Sequence, residues 1–180
     1  MKAVLDACVL VPPILREILL GVAAKGLFQA CWSERLLEEW ARASAKFGPM
    51  AEAEVRARIA VLRAVYPRAM LAAAPHIEAR LHLPDPDDAH VLAVAISGSA
   101  DAIITVNAKD FPRNVLAEDQ ITRRDPDGFL WELWSFHADE VEAAVAEVQA
   151  EAARRDGVPV GLRTMLKKAR LHRLARAMGV

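Results

Sequence analysis

The stretch ADAIITVNAKDFP, residues 100–112, runs from an uncharged apolar segment, AIITV (102–106), into a short polar loop that ends at Asp110, Phe111 and Pro112. Five consecutive residues rich in β-branched side chains read as a buried strand with a loop at its C-terminal end. Upstream, LPDPDD (83–88) leads into HVLAVAI (90–96), an apolar run that reads as a helix opened by its own acids and ended near Gly98. A helix followed directly by a buried strand is half of a β-α-β unit. The N-terminus supplies the rest: KAVL (2–5) is a short buried strand ending at Asp6, and PPILREILL (12–20) is a helix opened by proline. LFQACW (27–32) is a second strand, and Ser33 caps a helix with Leu36, Leu37 and Trp40 on one side.

Gly48-Pro49 ends that helix, and residues 50–65 form another, with Val55, Ile59 and Leu62 at helical spacing. A third strand is expected around 70–74. Alternating elements of this length predict an α/β fold, a mainly parallel sheet covered by helices. Ligands of such sheets sit at the C-terminal edge of the strands, where Asp6 and the loop after Val106 both arrive. Farther on, Asp125-Pro126 opens a helix bearing Phe129, Leu130 and Leu133, another runs from about 138 to 155, and GVPV (157–160) is a hinge. A basic tail helix with the apolar stripe Leu162, Met165, Leu166 and Ala169 closes the chain.

The chain has 180 residues, 54% hydrophobic, enough for one ordinary core with an appendage. No apolar run approaches the roughly 18 residues that a bilayer span needs, and Asp6 interrupts the first one. No signal peptide or membrane anchor is expected, and a cytoplasmic location follows. Cys8 and Cys31 belong to no CxxC pair or zinc-ligand cluster and read as reduced, buried and structural. The net charge of −1 hides an asymmetry: residues 151–180 carry eight Lys/Arg and two acids, leaving 15 and 22 before them, or +6 against −7. An acidic body that meets a polyanion needs metal ions or a local basic surface.

Four acids fall where an open sheet brings distant segments together: Asp6, Glu39, Asp88 and Asp110. Each alone has a structural reading, as a solvated helix face (Glu39), a helix cap (Asp88) or a turn (Asp110). Asp6 is the exception, because an ionisable group at the end of a buried strand is costly without compensation. Several carboxylates within a few ångströms must hold protons or bind hard divalent cations. Oxygen-only ligands favour Mg²⁺ or Mn²⁺ over zinc, and phosphodiester hydrolysis is the chemistry such ions serve. His90, two positions after Asp88, should point away from that face. Trp32, Trp40, Trp131 and Trp134 read as packing residues rather than base-stacking platforms.

Four pieces, VLDACVL (4–10), SERLLEEW (33–40), DPDDAHVLAVA (85–95) and ADAIITVNAKDFP (100–112), resemble in order and spacing the PIN domains. Within these they resemble the VapC-like toxins of type II bacterial toxin-antitoxin pairs. The resemblance covers residues 1 to about 122, and it implies a PIN-like nuclease domain over 1–122 with a helical, basic-tailed C-terminal extension over 123–180. It implies a Mg²⁺- or Mn²⁺-dependent endoribonuclease with Asp6, Glu39, Asp88 and Asp110 at the metal site and Asp85 or Asp87 as auxiliaries. Family knowledge, not spacing, selects Glu39 over Glu38. Asn107 stands where many PIN domains carry an acid, and as a neutral amide it would assist at the metal. Implied partners are an RNA substrate, a cognate antitoxin that places a basic side chain in the acidic groove, and a second copy of the chain in a homodimer.

A catalytically silent PIN fold that binds nucleic acid or protein is the alternative. An aspartyl-phosphate mechanism at Asp6 would want a second acid where Cys8 stands, and no glycine-rich loop follows the first strand to cradle a nucleotide.

Overall fold

The computed structural model describes residues 1–180. In chain order the elements are β1 (Lys2–Leu5), α1 (Ala7–Leu10), α2 (Pro13–Ala24), β2 (Gln29–Ser33), α3 (Glu34–Ser44), α4 (Ala51–Val65), β3 (Met70–Leu71) and α5 (Pro75–Glu78). They continue as α6 (Ala89–Ser97), β4 (Ala102–Ile104), α7 (Arg113–Glu118), β5 (Thr122–Arg124), α8 (Pro126–Phe136), α9 (Ala138–Asp156), α10 (Leu162–Lys168) and α11 (His172–Ala177). The chain folds into two compact units: Met1–Val11 with Gln29–Arg123, and Pro12–Phe28 with Arg124–Val180.

The first unit is built on the predicted sheet, with strand order β3-β2-β1-β4-β5. The β1/β2, β1/β4 and β2/β3 ladders are all parallel. β1 and β4 are central and read as continuous apolar runs because both of their faces are covered: Ala3, Val4, Leu5, Ala102, Ile103 and Ile104 are fully buried. α6 packs against β1, β2 and β4, which explains why every residue from Ala89 to Ala95 is buried. Ser33 caps α3 as predicted, its Oγ accepting from the Leu36 N–H at 3.3 Å. α3 turns Leu36, Leu37, Trp40 and Ala41 inward and packs on α4.

The second unit is helical. α2 and α9 approach closely enough that a Cβ at Gly21 would stand 3.3 Å from that of Ala144. Asp125 caps α8 through the Gly128 N–H at 2.8 Å, and the long helix read over 138–155 is α9. The basic tail departs from the single helix expected, because it breaks into α10 and α11. Arg170 adopts a left-handed φ of 60°, the Arg170 N–H bonds to the Lys167 carbonyl at 3.0 Å and the Leu171 N–H to that of Leu166 at 2.9 Å. This is a Schellman ending, sealed by burial of Leu166 and Leu171. No helix is long and apolar enough to cross a membrane.

Candidate metal centre

The register of β1 and β4 creates the site. Leu5 pairs with Ile104, so the next residues, Asp6 and Thr105, emerge side by side at the C-terminal edge. Both are nearly fully buried. The Thr105 hydroxyl donates to Asp6 Oδ2 at 2.6 Å and accepts from the Asn107 N–H at 2.9 Å. Cys8 adds its thiol, 3.0 Å from the same Asp6 oxygen. Burial, and then the Asp6 charge, push that thiol up to about 12, so it is a protonated donor to the Asp6 carboxylate. The reading of both cysteines as buried and structural needs amending here: Cys31 is buried, but Cys8 is only half-buried and serves the Asp6 carboxylate.

Two further segments bring acids to this edge. Asp85 opens a 3-10 turn over Pro86–Asp88 by accepting from the Asp87 N–H at 3.0 Å, and Asp88 stands at the start of α6. The loop after β4 brings Asn107, whose Nδ2 donates to Asp88 Oδ2 at 3.0 Å, and the buried Asp110. The loop is fastened from behind, where Arg123 donates to the Ala108 and Phe111 carbonyls at 2.5 and 2.9 Å. Carboxylate oxygens of Asp85, Asp88 and Asp110 all lie within 4.8 Å of one another. Partial burial, then the charges of Asp6, Asp85 and Asp110, raise Asp88 to about 6. An acid so raised registers burial first and then the neighbouring negative charges, and the donors here are oxygens alone. The residues present therefore fit a hard divalent cation.

The predicted residues are placed unequally. Asp88 and Asp110 stand together, and Asp6 lies close enough for its charge to act on Asp88. Asp85 joins them, whereas exposed Asp87 turns to a shallow charged groove with Glu34, Arg35, Glu38, Glu39 and Arg42. Glu39 is outside the tight set. Its Oε1 lies 3.2 Å from Arg35 Nε and 2.9 Å from Nε2 of buried His90, too poorly aligned for that nitrogen to complete a hydrogen bond. His90 thus faces Glu39, which the two-residue offset from Asp88 does not reveal. The offset fixes direction on α6 but not what α3 brings opposite. Glu38, by contrast, is committed elsewhere: hydrogen bonds from Arg56 and Arg42 hold its carboxyl down at about 2.

Thr105→Val should leave buried Asp6 short of its closest donor and lower stability at pH 7 by about 1–3 kcal/mol. Thr105→Ser should recover most of this in urea unfolding. Equal midpoints for the Val variant and the wild type would mean that Asp6 does not depend on the hydroxyl.

Residues 2–109 match the family model described as the PIN domain. Comparison with curated proteins and with solved structures gave no match. The matched segment contains β1 through β4 and every acid of the centre except Asp110, which follows it by one residue. With a parallel sheet of this order, carboxylates gathered at its C-terminal edge and a family match over more than half of its length, the chain belongs to the PIN domain family.

Proposed function

We propose that the protein is a Mg²⁺- or Mn²⁺-dependent endoribonuclease and the toxin of a VapBC-type pair, with residues 1–122 as its nuclease domain and 123–180 as a helical extension. The observation that carries the nuclease reading is the convergence of Asp85, Asp88 and Asp110 beside Asp6, a donor set suited to a hard cation at the edge where such sheets bind ligands. When bound, such a cation supplies Lewis-acid polarisation of a phosphodiester and activation of water. The chain's own residues hold it and prepare the surroundings. Asp6, Asp88 and Asp110 would hold it with Asp85 assisting, and Thr105 and Cys8 hydrogen-bond the Asp6 carboxylate. Asn107 orients Asp88 without adding charge. Glu39, hydrogen-bonded by Arg35 and outside the tight set, would join the acidic residues only as a flanking member.

The toxin assignment rests on the resemblance in motif order, and it implies an antitoxin whose Lys or Arg occupies the acidic cluster in place of the cation. Such a partner should weaken Mn²⁺ binding in calorimetry; inhibition with unchanged Mn²⁺ affinity would rule out that mode. Phe47, Met50, Val61 and Val65, on α4 and the turn before it, are exposed apolar residues that a homodimer would bury. A monomer mass in light scattering would remove the dimer.

The deciding experiment is incubation of the purified chain with a panel of tRNA and rRNA in Mn²⁺, in Mg²⁺ and in EDTA. Cutting in either metal and none in EDTA is the expected result. RNA bound but uncut in all three would replace the nuclease by a silent binding module.

A further inference from the structure

The helical unit carries a surface that the metal centre does not use. No Asp or Glu follows Asp156, while Arg163, Lys167, Lys168, Arg170, Arg173 and Arg176 do, and all six are exposed. None of their side chains is paired with a carboxylate among the ion pairs of the chain, in contrast to Arg35, Arg42, Arg56 and Arg63. Arg163 and Lys167 lie four apart on α10, Arg173 and Arg176 three apart on α11, and Arg170 occupies the turn between. Two short helices thus present like charges that repel one another, an arrangement that costs stability unless an anion takes it up.

Next to these cations stands an aromatic edge. The Arg173 guanidinium lies 5.1 Å from the Trp131 ring centroid, and Trp131 remains 40% exposed. Trp32 and Trp40 are fully buried packing residues, whereas Trp131 keeps an exposed ring edge. α11 is held against α8 at this point, because Asp127 accepts from the Arg173 and Leu174 N–H groups at 2.8 and 3.0 Å. The Trp131/Arg173 pair is therefore mounted on fixed backbone. Phe136, at the end of α8, is 79% exposed. Cations that neutralise phosphates beside exposed rings that stack on bases are the two components of single-strand recognition. A duplex offers its phosphates but not its base faces.

We propose that α8, α10 and α11 form a single-stranded RNA-binding surface, with Arg163, Lys167, Lys168, Arg170 and Arg176 on phosphates and Trp131, backed by Arg173, stacking on an unpaired base. The choice of RNA as the polyanion rests on the nuclease reading above, while the binding itself does not require cleavage. It makes the helical extension a substrate-gripping element selective for unpaired segments.

The test is fluorescence anisotropy of the full chain with labelled 20-nucleotide oligo(U) and with a 20-base-pair RNA duplex, in EDTA so that nothing is cut, between 50 and 200 mM NaCl. Lys167→Ala/Lys168→Ala/Arg170→Ala should weaken oligo(U) binding at 50 mM NaCl by at least about tenfold and flatten the log–log salt slope by about 2. Trp131→Ala should weaken oligo(U) by about 5- to 150-fold and leave the slope unchanged. The Gln versions of the three cation changes, with circular dichroism, guard against misfolding. Unchanged affinity and slope in the triple variants overturns the proposal. Duplex bound as tightly as oligo(U), with no effect of Trp131→Ala, overturns the single-strand assignment. Poly-glutamate displacing oligo(U) at equal charge would assign the surface to an acidic protein instead. Failure of cleavage in metal with oligo(U) binding intact removes the nuclease reading alone; cleavage with binding unaffected by the variants removes this one alone.

Discussion

Asp88→Asn is expected to reduce metal-dependent RNA cleavage by at least about 100-fold, a floor taken from the 10- to 100-fold that residues merely supporting a metal ligand contribute. The same change should raise the thermal midpoint of the metal-free protein at pH 7.5. Both follow from one feature. Burial and the neighbouring Asp6, Asp85 and Asp110 raise Asp88 from an ordinary carboxyl value to about 6. The folded state therefore binds the Asp88 proton more tightly than the unfolded state does, so the stability gained from protonation is present at low pH and lost as pH rises through about 6. Above that pH the ionised carboxylate is a cost that only a cation offsets. Asparagine is neutral throughout and its carbonyl still accepts from Asn107 Nδ2, so the hydrogen bond now 3.0 Å long survives. The stability advantage of the variant in EDTA should shrink as pH falls towards 4.5. Added Mn²⁺ should reverse the ranking, since saturation at 100 times Kd stabilises the wild type by about 2.7 kcal/mol and the variant by much less. Differential scanning fluorimetry across pH, with and without Mn²⁺, reads all of this. A variant less stable than wild type in EDTA at every pH would make Asp88 a structural acid.

The legible part of the centre was the part carried by chain direction. Asp6 stands at the end of an apolar strand and Asp110 in the loop after another; once both strands are parallel and adjacent, their C-terminal ends must meet. Asp85 and Asp88 were legible as helix-opening acids, and the turn they form explains why Asp85 faces the cluster and Asp87 does not. Contacts between helices were less accessible. Nothing in the spacing of α6 says that α3 will place Glu39 against His90, because that depends on the packing of two helices on the sheet. Local signals failed at β5, where Thr-Arg-Arg has neither apolar alternation nor β-branched density and strand geometry is set by the neighbouring edge. They failed again at Arg170, whose left-handed turn would ordinarily call for glycine or asparagine. Nor does sequence order show that Pro12–Phe28, between two strands of one unit, folds with Arg124–Val180. The apolar face of α2, with Leu15, Ile18, Leu19 and Val22, would serve a sheet or a helix layer equally well. The close approach of Gly21 to Ala144 marks the choice made.

Phe111→Ala should lower stability by about 3–5 kcal/mol, a shift of roughly 6–20 °C in the thermal midpoint for a chain of this size. Phe111 is fully buried and follows Asp110, itself buried, so the ring anchors the loop that delivers an acid to the carboxylate cluster. Truncation opens a cavity the size of an aromatic ring, and a loop pinned by Arg123 as well as by Asn107 is restrained from collapsing to fill it. Arg123→Ala makes the informative contrast. It removes two hydrogen bonds to carbonyls of the same loop but leaves the packed ring, so global stability should fall by only about 1–3 kcal/mol. Mn²⁺ affinity should then suffer in both variants, because each loosens Asp110 relative to Asp88. In Phe111→Leu, which refills most of the volume, both stability and Mn²⁺ affinity should largely return. If Phe111→Ala proved strongly destabilised while binding Mn²⁺ as wild type does, the ring would serve the core alone. Asp110 would then owe its position to Arg123 and to the end of β4.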